Sequence, residues 1–377
     1  MVRKLTLLLL SLLLCAQPAF PQTEHAPEWL NERVLVSSES HHQTGTLCLI
    51  DFPNGRQWMA VAGLANKEQN VPALGNYYVE IGSMTKMFIA TAILQLHEDS
   101  LLNIYKPFTF YIEEPWAKNL NRWKKKNWSD SISILNMLNH TAGIFDYLDD
   151  GTDQATVDKY GYEGKVRFKP RELIRNSNIE GSYGPPNKKW HYSNTAYLAL
   201  GILIETVSGK PWQDYIQEHI LDPANLQRTK FGTRMNKEEL SKKMQGYFDG
   251  KKINMAFSLA GASGEMVSTL PDMAVFIRKW WGGEFFKYPE TTNLLRTAHF
   301  ADIGPLGSYG MGIMHLMDLY GHGGQTFGFS GFGGILPQKE IVLIWIQNDS
   351  QVGVYPAILD ISDELMEKKK KPVSGEK

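Results

Sequence analysis

Cysteine is almost missing from this sequence: Cys15 and Cys48 are the two present in 377 residues. If Cys15 leaves with an N-terminal leader, Cys48 stands alone, no intrachain disulfide can form, and a packed core must hold the fold. Long apolar runs are missing too. Leu5 to Leu14 is about half of the ~20 residues a bilayer crossing needs. Behind Met1-Val2-Arg3-Lys4 it has the form of a cleaved secretory signal, expected over residues 1–22 with cutting near Ala19 or Gln22. A periplasmic or secreted protein with no stable membrane anchor is therefore expected. Cys15 follows Leu14, where a lipoprotein signal would carry a small residue, so lipidation is not the expected outcome.

An excess of one charge sign is likewise absent, at 39 basic against 40 acidic residues, and losing Arg3 and Lys4 with the leader leaves 37 against 40. Nucleic acid is thus excluded as an electrostatic partner. No internal repeat is visible. Metal spacing is lacking as well: His97-Glu98 has no second histidine to complete H-E-x-x-H, so no metal and no cofactor are expected.

What is present is 43% hydrophobic residues, enough for a sizeable core, and three short strings in order. Ser83-Met84-Thr85-Lys86 opens a stretch, Met87 to Leu96, that is apolar on nearly every face and so predicts a buried helix. Ser83 then stands at a helix mouth, where free N–H groups and the positive dipole end favour a developing alkoxide. Lys86 lies one turn on and on the same face, where burial would supply a neutral amine as base. Alone the pattern is weak, because Ser374-Gly375-Glu376-Lys377 fits it too.

Tyr192-Ser193-Asn194 is the chain's single Y-x-N and precedes a helix-like run from Thr195 to Val207. A phenol beside a lysine ammonium is expected to have a lowered pKa, so either Tyr192 or Lys86 could take the Ser83 proton and return it to a leaving group. His322-Gly323-Gly324 lies between strand-like runs, Gly310 to Met317 and Ile341 to Ile346. Glycine lets a substrate backbone lie along the strand edge, and His322 could donate to a carboxylate or carbonyl oxygen.

With these three strings the chain resembles the serine β-lactamase and penicillin-binding protein superfamily in its class C-like branch. Leu138-Asn139-His140-Thr141-Ala142-Gly143-Ile144, Leu200 to Gly209, Ala260 to Thr269, Tyr309-Gly310-Met311-Gly312 and Gly328-Phe329-Ser330-Gly331 are similar to further family stretches. The resemblance implies catalysis by Ser83, Lys86 and Tyr192, substrate binding by Asn194, His322, Gly323, Gly324 and Gln325, and an oxyanion held by the backbone N–H groups of Ser83 and Gln325. Where the branch's lactamases carry lysine this chain has His322, as do D-alanyl-D-alanine carboxypeptidases, D-amino-acid peptidases and esterases. The expected activity is a serine hydrolase acting on D-alanyl peptides or esters. A class C type β-lactamase and a non-catalytic peptidoglycan-binding protein are the alternatives. An unperturbed His322 would favour anionic substrates more strongly at pH 5.5 than at pH 8.

The expected partner is a small molecule or peptide, a peptidoglycan stem peptide included, and a monomer is expected. The expected fold is α/β (α+β): an antiparallel sheet from both chain ends, flanked by helices, with an all-helical lobe inserted at about 105–255. The domain would run over 23–370 and a basic tail over 371–377. Gly45 to Ile50 and Gln57 to Ala62 read as a hairpin, Val354 to Lys368 as a closing helix, Arg122 to Trp128 as a solvated loop, and Cys48 as a core residue.

Overall fold

The computed structural model describes residues 22–148, 167–254, 256–297 and 299–367. The leader, apart from Gln22, and the tail 371–377 lie outside the described residues, and the loop from Asp146 to Glu163 is described only as far as Leu148.

One sheet organises the fold. Its strands are β1 (Gln22–His25), β2 (Thr46–Asp51), β3 (Arg56–Ala62), β4 (Ala301–Asp302), β5 (Ser308–Tyr309), β6 (Met314–Leu316), β7 (Leu319–Gln325), β8 (Ser330–Leu336) and β9 (Ile341–Gln347). They lie in the order β1-β3-β2-β9-β8-β7-β6-β5-β4. All neighbours are antiparallel except β1, which runs parallel to β3. The two chain ends meet at β2 and β9, where Leu49 stands opposite Ile344. The expected β2–β3 hairpin is present.

Side chains on a strand alternate between faces, so a sheet buried on both sides needs apolar residues at every position. On one face Cys48, Ile50, Leu343 and Trp345 pack with Leu30 and Val34 of helix α1 (Glu28–Ser40) and Ile358 and Ile361 of helix α5 (Tyr355–Leu365). On the other, Leu47, Leu49, Ile344 and Ile346 join a larger core. That core includes helices α2 (Thr85–Glu98), α3 (Asn194–Ser208) and α4 (Leu270–Gly282). Helix α2 is buried from Thr85 through Leu96, as its all-round apolar pattern predicts.

The segment from 105 to 255 corrects one expectation, because it is not all-helical. Beside helices such as Ile134–Leu138 and Pro170–Glu180 it contains two hairpins, Arg122–Trp123 with Lys126–Asn127 and Gly246–Phe248 with Lys251–Ile253. Both use two-residue turns with φ positive at each central residue, at 47° and 64° for Lys124 and Lys125 and at 49° and 72° for Asp249 and Gly250. Asp-Gly is a hairpin signal legible in sequence. Lys-Lys is not, since nothing in lysine marks a left-handed conformation. Lys126 stacks on Trp128, 3.6 Å above its ring centroid, which helps hold the first hairpin.

Backbone contact fixes the turn bearing Ser83. Residues Gly82–Met84 form a 3-10 turn leading into α2. Ile81 N–H donates to Met266 O at 3.1 Å, and Met266 N–H donates to Thr85 Oγ1 at 3.2 Å, so the turn is tied down on both sides of Ser83. It then lies against β7 at a distance only glycine permits. A Cβ on Gly324 would stand 2.1 Å from Ile81 O, and one on Gly82, whose φ is +51°, would stand 2.7 Å from both N and O of Gln325. Gly324→Ala is therefore expected to cost about 1–3 kcal/mol, the usual scale of overpacking, and to slow acylation of Ser83 by pushing its turn off the strand. Urea denaturation with a Ser83-directed acyl probe checks both, and an unchanged variant would show that the close approach is dispensable.

Candidate active site

Lys86 is fully buried, and its Nζ lies among three oxygens: Ser83 Oγ at 3.0 Å, Asn194 Oδ1 at 2.7 Å and the Ser263 carbonyl at 2.7 Å. The structure thus brings Asn194 to Ser83 and Lys86, although it lies 108 residues from Lys86 along the chain. Ser263 belongs to the 3-10 turn Gly261–Ser263 and enters through its backbone, so no side-chain pattern announced it. Burial pushes the Lys86 ammonium down to about 7, against a smaller opposing effect from the Asp146 carboxylate. A neutral amine is then available near neutrality.

Geometry also fixes where that amine points. A neutral amine has two N–H bonds and one lone pair, and the Ser263 and Asn194 oxygens accept both hydrogens. The lone pair is left for the Ser83 hydroxyl.

Tyr192 corrects another expectation. Burial, the largest influence, raises its pKa well above that of a free phenol; the Ser83 hydroxyl favours the ionised form, and Asp146 opposes it. It rests as a phenol, a state suited to giving a proton rather than taking one. Part of its ring faces the cleft, yet its hydroxyl oxygen is sealed beside Ser83 without forming a full hydrogen bond. Lys86 Nζ meets the ring of Tyr192 instead, 4.8 Å from the centroid. Ser193 caps α3 by accepting from Ala196 N–H, and its own N–H donates to His140 Nδ1 at 3.1 Å.

The histidine of the third string behaves differently from expectation. His322 is buried, its Nδ1–H donates to the Gly323 carbonyl, and its Nε2 accepts from Tyr309 at 2.7 Å. Both ring nitrogens are thus engaged within the protein. Burial first, and the Lys86 charge second, push its pKa down to about 3, so it stays uncharged across working pH. It borders the cleft without offering a charge to it.

Gln325 is the last residue of β7 and is exposed. Thr326 N–H bonds Phe329 O, which makes 326 and 329 a hydrogen-bonded pair, and antiparallel alternation then turns the N–H and C=O of Gln325 away from β8. They face the Gly82–Ser83 turn, where an oxyanion donor is needed. Gly323 lies on the same open edge beyond β6.

Two connected hollows flank Ser83. One, of about 260 Å³, is lined by Leu148, Asn194, Phe248, Thr326 and Phe327 among others. The second, of about 460 Å³, is lined by Met314, His322, Gly323, Gly324, Val354 and Tyr355 among others. Among the described residues, neither wall carries lysine, arginine, aspartate or glutamate.

Reading the sequence missed Asp146, whose carboxylate accepts from Asn194 N–H at 3.0 Å and Asn194 Nδ2 at 2.9 Å. One signal was there: a lone acid amid Ile144-Phe145 and Tyr147-Leu148.

A family model described as Beta-lactamase matches residues 32–362. The Bacillus subtilis (strain 168) protein PbpX, whose name describes a penicillin-binding protein, is 27% identical over 291 residues, which is 76% of this chain and 66% of that one. Teichoic acid D-alanine hydrolase of Staphylococcus aureus (strain MRSA252) is 27% identical over 182 residues, 48% of this chain and 39% of that one. The chain therefore spans two thirds or less of these relatives' length. The crystal structure of a D-stereospecific amidohydrolase from Streptomyces sp. superposes with a TM-score of 0.74 at 24% identity, covering 89% of this chain and 98% of that one. At that identity the likeness speaks for the fold.

If Lys86 is the base, acylation of Ser83 should fall about tenfold per pH unit below the value of about 7 at which the amine becomes protonated. Lys86→Met and Tyr192→Phe should each slow it by roughly a hundredfold or more, and the double variant should be about as slow as the worse single one. Stopped-flow acylation across pH 5 to 9 measures all three. A flat profile in the wild type would remove Lys86 from the base role.

Proposed function

We propose, from the premise that this chain belongs to the beta-lactamase family, that it is a serine hydrolase that forms an acyl-enzyme at Ser83 from a neutral ester or amide. One observation carries the choice of substrate. The described cleft walls hold no fixed cation, and His322, where a carboxylate would be read, is neutral with both ring nitrogens engaged. A substrate carboxylate would lose its hydration there and gain no counter-charge. Carboxypeptidase and β-lactamase activities, both of which handle such a group, are disfavoured relative to esterase or amidase activity. The relative named for D-alanine hydrolysis and the fold neighbour named as a D-stereospecific amidohydrolase support a D-configured acyl group. The charged and apolar start of the sequence supports a periplasmic or secreted setting.

The geometry supports the following reaction. Ser83 Oγ bonds to the substrate carbonyl carbon as its proton passes to Lys86 Nζ, and the carbonyl oxygen becomes an oxyanion facing the N–H groups of Ser83 and Gln325. When the carbon–leaving-group bond breaks, Tyr192 gives the departing oxygen or nitrogen a proton, and the tyrosinate recovers one from the Lys86 ammonium. Water then attacks the acyl carbon as Lys86 Nζ again accepts a proton; the bond between that carbon and Ser83 Oγ breaks, the acid is released, Tyr192 gives Ser83 Oγ its proton, and the tyrosinate recovers one from the Lys86 ammonium.

Ser83 in the wild type should take a covalent label from an activated ester, detected by mass spectrometry of the peptide, and Ser83→Ala should take none. Given a matched pair of substrates differing only in a free carboxylate, wild type should favour the neutral one by an amount that stays flat from pH 5.5 to 8. His322→Lys should shift the ratio of kcat/KM towards the carboxylate by at least about fivefold, the worth of ~1 kcal/mol of Coulomb attraction at 4 Å in water. A wild-type preference for the acid would restore the carboxypeptidase reading.

A further inference from the structure

We infer that Asp146 is the positioning residue of this site, fixing Asn194 with its amide oxygen towards Lys86 and thereby aiming the lone pair of the Lys86 amine at Ser83. The inference rests on the serine-hydrolase reading and adds to it a residue that never touches the reacting atoms.

The two ends of an asparagine amide are nearly equal in shape, so packing alone cannot choose which one faces Lys86. Asp146 chooses. Its Oδ2 accepts from both the backbone N–H and the side-chain Nδ2 of Asn194, at 3.0 and 2.9 Å. A carboxylate has no hydrogen to give, so the NH2 end must face it and the oxygen must turn to Lys86, 2.7 Å away. Were the amide reversed, its N–H would compete for the Lys86 lone pair, and the Ser83 proton would lose its acceptor.

Asp146 is itself held in place. Its Oδ1 accepts from Leu148 N–H at 3.1 Å, and the adjacent Tyr147 ties its N–H to Thr195 Oγ1 at 3.0 Å and its hydroxyl to Leu259 O at 2.6 Å. The loop is thus fastened to the first turn of α3 and to the segment leading into the Ser263 turn. Both oxygens that direct Lys86 belong to elements that this loop braces.

Charge gives a readout separate from stability. The titratable groups facing Lys86 are Tyr192, Tyr197, His140, His322 and Asp146, and Asp146 faces Lys86 and Tyr192 in turn. Burial keeps both histidines neutral and both tyrosines protonated. It also raises the Asp146 pKa, while the hydrogen bonds from Asn194 and Leu148 and the Lys86 charge favour the carboxylate, so among these groups Asp146 is the one that can act on Lys86 as an anion. An anion favours the ammonium; removing it lowers the Lys86 pKa, and the acid limb of the acylation profile then moves to lower pH.

The experiment follows Ser83 acylation by an activated ester from pH 5 to 9 in wild type, Asp146→Asn, Asn194→Ala and the double variant, with circular dichroism to establish folding. Asp146→Asn should lower the plateau rate by between about tenfold and a hundredfold and shift the acid midpoint down by about one unit. In the Asn194→Ala background it should lower the plateau no further. An unmoved midpoint, or a plateau loss that merely tracks the folded fraction, overturns the inference. Should Asp146→Asn not fold, the Asn194 side-chain amide signal of the wild type carries the test. Assigned by its loss in Asn194→Ala, it should exchange slowly with solvent deuterium, and fast exchange overturns the inference. A wild type that takes no label at Ser83 overturns the hydrolase reading and this inference with it, whereas a labelled wild type with an unshifted Asp146→Asn profile overturns the inference alone.

Discussion

Burial of the Lys86 amine is the constraint on which the site depends. A charged ammonium in a dry interior is costly, so the group gives up its proton near neutrality. Once neutral, it has two hydrogens to place and one lone pair to aim. The Ser263 carbonyl and the Asn194 amide oxygen take the hydrogens, and the hydroxyl of Ser83 receives the lone pair. Each requirement reaches outward into the fold. Helix α2 must be buried all round to bring Lys86 inside, the turn at Gly261–Ser263 must present a carbonyl, and the start of α3 must hold Asn194 in one orientation.

The same dryness governs the neighbours. Tyr192, Tyr197, Tyr309, His140 and His322 form an aromatic cluster behind Ser83, buried except where the Tyr192 ring meets the cleft, with His140 and Tyr192 only 4.3 Å apart between ring centroids. In such surroundings each of these phenols and imidazoles keeps its neutral form. Tyr192 therefore holds a proton to give, and His322 has no charge to offer. Burial thus favours the assignment proposed above, with Lys86 as base and Tyr192 as acid, which residue types alone leave open.

Much of this was legible in sequence where chemistry and periodicity coincide. The all-round apolar run after Ser83 predicted a core helix, alternating residues predicted the β2–β3 hairpin, and the Y-x-N string was correctly placed at a helix start. What escaped has a common physical character. The Ser263 carbonyl acts through backbone, which every residue carries alike, and the Lys124-Lys125 turn depends on a φ sign that lysine does not advertise. The pKa directions of Tyr192 and His322 depend on how many atoms surround them, a quantity set by packing of distant segments. Asp146 stood in view, two residues beyond the quoted Leu138–Ile144 stretch, but a lone acid acquires meaning only when the amide it faces is known.

The walls of the cleft extend this logic to recognition. The described lining residues carry no charged side chain, and the open edge of β7 presents backbone groups of Gly323 and Gln325 that point away from β8 and can orient a substrate under the proposed function. Apolar surface for such a substrate is offered by Phe248 and Phe327 in one hollow and by Met314, Val354 and Tyr355 in the other. Such a site discriminates by shape and by where hydrogen-bonding groups fall along an edge, and gains little from long-range attraction. The glycines that let the Ser83 turn lie against β7 thus serve recognition as well as chemistry, since they set the distance between the nucleophile and the edge that orients its substrate.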